Sequence, residues 1–178
     1  MRLIILDRDG VINEDSDEFI KSPDEWLPIP GSLEAIVRLT KARYHIVVAT
    51  NQSGLARGLF DLDMLTAIHD KMHRELAKIG GRIDAVYYCP HGPDDNCPCR
   101  KPRSGMFKDI SKRLRTDLKG VAAIGDSLRD LQAAQTVGAT PILVRTGKGA
   151  ATEARGEGLQ GVNVFDNLAA ATDFLLSA

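Results

Sequence analysis

Two aspartates separated by one residue, Asp7 and Asp9, follow directly on the apolar run Leu3 to Leu6. In a strand, alternate side chains share a face, so both carboxylates converge on one place while Arg8 points elsewhere. Such a pair can divide two tasks, one oxygen attacking an electrophile and the other group moving a proton. Three more groups of similar character follow further apolar runs. Thr50-Asn51-Gln52-Ser53 offers hydroxyls, amides and backbone N–H groups to an anion, Arg100-Lys101-Pro102 offers two cations, and Gly125-Asp126-Ser127 adds a carboxylate with Asp130 one helical turn later. Hard oxygen ligands from Asp7, Asp9 and Asp126 suit Mg²⁺, which binds through a few carboxylates plus a substrate phosphate. Taken singly, each group has a plainer explanation: a solvated Asp-Arg-Asp turn, helix-capping chemistry at Thr50 to Ser53, a surface cation at Lys101, a helix N-cap at Asp126. Their occurrence together, each at the end of an apolar run, points to phosphoryl transfer, which needs positioning and charge neutralisation above all.

The three cysteines form a second constellation. Cys89-x-His91 and Cys97-x-Cys99 lie within eleven residues, and an odd number of cysteines in one short segment makes a poor disulfide framework. Three thiolates and an imidazole are a closed set of the kind that holds structural Zn²⁺; buried or reactive cysteines beside an incidental histidine are the competing explanation. Cys99 directly precedes Arg100 and Lys101, so a zinc anchor would fix the backbone that aims both cations.

The elements that must position these groups alternate along the chain. Strands are expected at Leu3 to Leu6, His45 to Thr50, Ala85 to Cys89, Val121 to Gly125, Pro141 to Val144 and Val162 to Phe165. Helical patterns lie between them at about Ser32 to Ala42, Asp61 to Ile79, Ser104 to Thr116, Leu128 to Val137 and Asn167 to Leu176, with Gly80 and Gly138 at helix C-termini. That alternation predicts an α/β fold, a three-layer Rossmann-like parallel sheet with helices on both faces. Ligands bind outside the carboxyl ends of the strands in such sheets, and every candidate group falls there. The proline-bearing segments Glu14 to Gly31 and Pro90 to Arg103 should be loops, too short for a cap domain of any size, which leaves the site fairly open. His45, His69 and His73 show no partner pattern and are expected on surfaces or beside strands; Trp26 either lines or packs the first loop.

Residues 1–178 fit one domain with one core. An apolar fraction of 43% with 26% charged residues is that of an ordinary globular protein. Net charge is -1, from 23 basic and 24 acidic residues, which argues against nucleic acid as a partner. No apolar run approaches the roughly 20 residues of a membrane span, and the opening run is too short for a signal peptide. A cytoplasmic, monomeric protein is expected. No Gly-rich loop of the GxxxxGK[ST] type is present, which argues against a kinase-like phosphotransferase.

The order DxD, Thr, Lys, GDxxxD resembles the haloacid dehalogenase superfamily of phosphohydrolases over essentially the whole chain. The resemblance implies Asp7 as nucleophile and Asp9 as general acid and base. It further implies that Thr50 and Lys101 hold the transferring phosphoryl group and that Asp126, supported by Asp130, helps hold Mg²⁺. Within the superfamily, DRDGVIN, TNQSGLARG, the Cys/His loop, CRKPxxGM and LVRTGKG are similar to the D-glycero-D-manno-heptose 1,7-bisphosphate 7-phosphatases, with zinc-loop histidinol-phosphatases the nearest competitor. That likeness implies a sugar bisphosphate substrate on the route to nucleotide-activated heptose and lipopolysaccharide core. It assigns substrate contacts to Asp15, Ser16, Asp17 and Glu18, to Asn51, Gln52 and Ser53, and to Arg100 and Ser127, with Arg100 at the distal end. Two departures stand out: a zinc loop shorter than in some heptose-bisphosphate members, and Ser127 where several carry Lys. A zinc-stapled binding protein without activity is the remaining alternative, and it has no need of the second aspartate.

Overall fold

The computed structural model describes residues 1–178. Six strands, β1 (Arg2–Leu6), β2 (Tyr44–Asn51), β3 (Ala85–Cys89), β4 (Ala122–Gly125), β5 (Thr140–Val144) and β6 (Asn163–Phe165), form one sheet. Their spatial order is β3, β2, β1, β4, β5, β6 and every neighbouring pair is parallel. The expected strands are therefore all present, within a residue or two at their ends.

The near-continuous apolar strands follow from burial on both faces. Ile4, Leu6, Ile46 and Val48 enter the larger core, whereas Leu3, Ile5, Val47 and Ala49 enter a second core on the opposite face. Helices α1 (Ser32–Lys41), α2 (Leu62–Lys78) and α6 (Leu168–Ser177) cover the first face, and α3 (Gly105–Leu114) and α4 (Leu128–Thr136) the second. Helix α2 shows the reason locally: Leu65, Ile68, Met72 and Leu76 make one buried stripe, and the Asp61 carboxylate accepts from the Met64 N–H at 2.8 Å to cap the start.

Helix α5 (Gly149–Arg155) lies outside the expected set. Seven residues between Lys148 and Gly156 are too few to display a 3.6-residue apolar period, and only Gly149 and Thr152 are buried. No helix of this structure is long and apolar enough to cross a membrane.

From β1 the chain builds outward through β2 and β3, then returns to place β4 on the other side of β1. The carboxyl ends of β1 and β4 thus flank the point where strand order reverses, the place where open α/β sheets bind ligands. The segment from Asp7 to Gly31 carries one 3-10 turn, Pro23–Glu25, and no larger cap. It is pinned to the first core by Val11, Ile12, Ile20 and Trp26. Trp26 is fully buried, so it packs this segment and does not line a cavity; cutting such a ring to Ala costs about 3–5 kcal/mol. Lys71 of α2 donates to the carbonyls of Pro23 and Trp26 at 2.7 and 2.9 Å, closing the same segment from outside.

Candidate active site

A polar cavity of about 320 Å³ opens over the carboxyl ends of β1, β2 and β4. Asp7 stands at the end of β1. Its Oδ1 accepts from the Arg8 backbone N–H at 2.8 Å and from Lys101 Nζ at 3.0 Å, while its Oδ2 accepts no hydrogen bond. Lys101 is buried and places its three N–H bonds on Asp7, on Asp130 Oδ1 at 2.6 Å and on the Ala49 carbonyl at 2.8 Å. Burial opposes this charge, but Asp130 and then Asp7 outweigh it and raise the ammonium above its usual range.

Asp130 is fixed at both oxygens, since its Oδ2 accepts from the N–H groups of Asp126 and Ser127 and from the Ser127 hydroxyl, at 2.9–3.1 Å. Asp126 keeps one oxygen free; the other accepts from the Lys148 N–H at 2.9 Å. Gly10 and Gly147, both with positive φ, pass so close to that carboxylate that a Cβ on either would collide with it. This is why the first and fifth strand ends turn on glycine.

Asp7, Asp126 and Asp130 each present an oxygen within 4.8 Å of the others, against the single ammonium of Lys101. Burial, and then the charges of Asp7 and Asp130, push Asp126 up to about 9, and burial followed by Asp130 pushes Asp7 up to about 7. Carboxylates that hold their protons for want of positive charge fit a hard divalent cation, and the free oxygens belong to Asp7 and Asp126. The Asp9 carboxylate, expected from the sequence among the cation ligands, is engaged by other groups. Its Oδ1 is taken by Arg8 Nε at 2.7 Å and Asn13 Nδ2 at 3.0 Å, and its Oδ2 faces Gln52 Nε2 at 3.3 Å. Burial opposes ionisation of Asp9, but the Arg8 charge and these hydrogen bonds hold it below the usual carboxylate range.

From β2, Thr50 is buried with its hydroxyl accepting from Gln52 Nε2 at 2.9 Å, and Gln52 and Ser53 join it in the cavity wall. Asn51 also lines the cavity, yet its amide exchanges two 3.0 Å hydrogen bonds with the backbone of Lys101. It therefore ties the end of β2 to the lysine segment. Asp15, Ser16, Arg100 and Ser127 line the cavity as expected, whereas Asp17 and Glu18 do not. The Phe19 N–H donates to the Ser16 carbonyl at 3.2 Å, with Phe19 at a φ of 69°, so residues 17 and 18 occupy the outer corners of a turn and are exposed. From this segment the cavity is lined by Asp15, Ser16 and Phe19.

Arg57, Arg129 and Lys148 line the same cavity and were not singled out in the sequence. Lys148 pairs with Asp15 at 3.2 Å, and Arg57 lies over the Phe19 ring at 5.4 Å. Burial and then the charges of Arg129 and Arg57 depress Arg100, and no carboxylate of the chain pairs with any of the three. A cavity that holds both a carboxylate cluster with Lys101 and a set of guanidiniums without carboxylate partners suits a ligand with more than one anionic group.

Beside it, at the end of β3, Cys89, His91, Cys97 and Cys99 bring their ligand atoms within 4.8 Å of one another. Cys89 Sγ lies 3.6 Å from both Cys97 Sγ and His91 Nδ1 and 2.9 Å from Cys99 Sγ, and His91 Nδ1 lies 3.3 Å from Cys99 Sγ. Sulfurs bound at about 2.3 Å to a tetrahedral ion stand about 3.8 Å apart; the Cys89–Cys97 pair is near that spacing and the Cys89–Cys99 pair is tighter, and the gathered Cys₃His set is compatible with zinc. Burial opposes ionisation of Cys97, yet the Arg100 N–H, 3.4 Å from its sulfur, and the neighbouring thiols bring it down to about 7.

Family models agree with this geometry. The model for Polynucleotide kinase 3 phosphatase matches residues 2–130, and the HAD-hydrolase-like model matches residues 98–171. A D-glycero-beta-D-manno-heptose-1,7-bisphosphate 7-phosphatase of Bordetella bronchiseptica is 62% identical over 99% of this chain and 98% of its own. The chain belongs to that family of haloacid dehalogenase phosphatases. A member of the family from Vibrio cholerae retains 38% identity over 97% of this chain and 95% of its own. The crystal structure of D,D-heptose 1,7-bisphosphate phosphatase from B. bronchiseptica, complexed with magnesium and phosphate, superposes with a TM-score of 0.98 at 62% identity over 99% of each chain.

Proposed function

We propose that this phosphatase removes the C7 phosphate of D-glycero-D-manno-heptose 1,7-bisphosphate through a phosphoryl group carried on Asp7. The observation that carries the proposal is a cavity lined both by Asp7 with Lys101 and by three arginines without carboxylate partners. Asp7 offers a free oxygen beside Lys101, and Arg57, Arg100 and Arg129 line the same cavity with no carboxylate partner. A histidinol phosphate carries no second phosphate for those arginines. The relatives are named for the β anomer, and the same anomer is proposed here, with a cytoplasmic role in heptose precursor synthesis.

In this scheme the Asp7 carboxylate attacks phosphorus, and the C7 oxygen leaves with a proton from Asp9. Water then attacks the phosphoryl group, gives its proton back to Asp9, and phosphate departs. Burial and an incoming phosphate dianion both favour the protonated form of Asp9 that the first step needs. Lys101 holds the Asp7 carboxylate, and Thr50 with Ser53 supplies hydroxyls to the phosphoryl oxygens. Mg²⁺, held by Asp7 and Asp126, would supply positive charge against those oxygens when bound. Zinc at Cys89, His91, Cys97 and Cys99 would act on structure alone.

The test is phosphate release, with Mg²⁺, from heptose 1,7-bisphosphate, the matching 7-monophosphate and histidinol phosphate. A kcat/KM highest for the bisphosphate is expected. Equal or reversed values would move the assignment to a histidinol-phosphatase.

A further inference from the structure

We propose that Arg8, braced by His69, is the positioning residue that decides which oxygen of Asp9 exchanges the proton, an inference that rests on Asp9 being the acid-base group. The Arg8 side chain is wholly buried although it sits between two site aspartates. Its Nε donates to Asp9 Oδ1 at 2.7 Å and its Nη1 lies 3.1 Å from His69 Nε2. An arginine N–H can only donate, so His69 Nε2 is an acceptor, the ring is neutral and its proton sits on Nδ1. Burial and then the Arg8 charge lower His69 to about 3, so the ring stays neutral across physiological pH and never repels the guanidinium.

His69 lies four residues after Leu65 and three before Met72, at the edge of the buried stripe of α2. It thus carries the rigidity of that helix to the Arg8 fork. Arg8 Nε and Asn13 Nδ2 together occupy Oδ1 of Asp9, and Oδ2 keeps only the 3.3 Å contact with Gln52 in the cavity wall. Oδ2 is therefore the oxygen that gives its proton to the leaving alkoxide and later takes one from the attacking water.

Wild type, His69→Leu, His69→Gln, Arg8→Lys and Asp9→Asn would be compared as Mg²⁺-loaded full chains. The readout is kcat/KM for heptose 1,7-bisphosphate, whose alkoxide needs a proton, and for para-nitrophenyl phosphate, whose phenolate does not. His69→Leu and Arg8→Lys are expected to lose about tenfold or more on the sugar and under about threefold on the aryl ester. His69→Gln, whose amide oxygen can accept from Nη1, should recover most of the loss. Equal losses on both substrates, or none with His69→Leu, would overturn the proposal. Asp9→Asn keeps the two failures apart: if that variant also shows no dependence on leaving group, Asp9 is not the acid; if it does while His69→Leu does not, Arg8 and His69 serve the core alone. Should Arg8→Lys fail to fold, the two His69 variants decide.

Discussion

Two clusters of side chains that could hold a metal lie at opposite ends of one short segment, and they are built in opposite ways. Asp7, Asp126 and Asp130 come from two strand ends and a helix, Asp7 more than a hundred residues before the other two, and they meet because β1 and β4 are adjacent. Cys89, His91, Cys97 and Cys99 come from eleven consecutive residues and owe little to the sheet. The first leaves oxygens of Asp7 and Asp126 facing a cavity; the second turns all four ligand atoms on one another. Open sites bind and release, and closed ones fasten. Lys101 connects the two: it sits two residues past Cys99, its backbone is locked to Asn51, and its ammonium lies between Asp7 and Asp130.

This contrast predicts unequal damage. Lys101→Met removes the only cation of the carboxylate cluster and should lower kcat/KM about 10³-fold, the scale of losing a charge-stabilising donor; a loss below tenfold would detach Lys101 from the chemistry. Cys99→Ser should act mainly on the fold. A lost thiolate opens the closed set, and about 3 kcal/mol would lower Tm by about 10 °C, with bound zinc reduced by metal analysis and kcat falling less than for Lys101→Met. Zinc-free wild-type protein, purified without chelator and as stable as the loaded form, would remove the metal from this picture.

Smaller effects sharpen the part played by the cavity's arginines. Arg129→Ala and Arg57→Ala should each raise KM for the bisphosphate about tenfold, equivalent to about 1.4 kcal/mol, with kcat and turnover of a monophosphate little changed. Smallest is a pH effect in the metal-free protein. Asp126 and Asp7, pushed up to about 9 and 7, bind protons more tightly folded than unfolded. Their contribution is fully present below the unfolded value near 3.8 and is lost as pH rises through the folded values. Tm without metal should therefore fall between pH 6 and about 9, and the gain in Tm on adding Mg²⁺ should grow over the same interval. A gain that shrinks with rising pH would contradict the assignment of these two carboxylates as cation ligands.

Much of this was legible in the sequence because the fold repeats one grammar. Each apolar run reads as a strand, and polar residues at its carboxyl end must face the ligand side, so Asp7, Thr50, Lys101 and Asp126 could be gathered without coordinates. What was hidden depended on direction and not on type. The turn from Ser16 to Phe19 puts residues 17 and 18 outward, and no local pattern distinguishes them from Asp15 and Ser16. Asp9 and Asp130 are both acidic neighbours of the site, yet only three-dimensional placement shows that Arg8 and Asn13 hold the first and that Lys101 and two backbone N–H groups hold the second. His69 gave one signal that could have been used, its place four residues after Leu65 on the edge of an apolar helical stripe.

The most direct test of the account is the covalent step on Asp7. Wild type, Asp7→Asn and Asp9→Asn would each be mixed with an aryl phosphate and Mg²⁺, quenched in acid within milliseconds and weighed intact. Asp9→Asn should carry one added phosphoryl group, since the phenolate leaves unaided while water attack, deprived of its base, slows by about 10²–10⁴-fold. Asp7→Asn should carry none and turn over nothing. Near-normal turnover by Asp7→Asn, with the asparagine intact at the end of the assay, would contradict a phosphoryl group carried on Asp7.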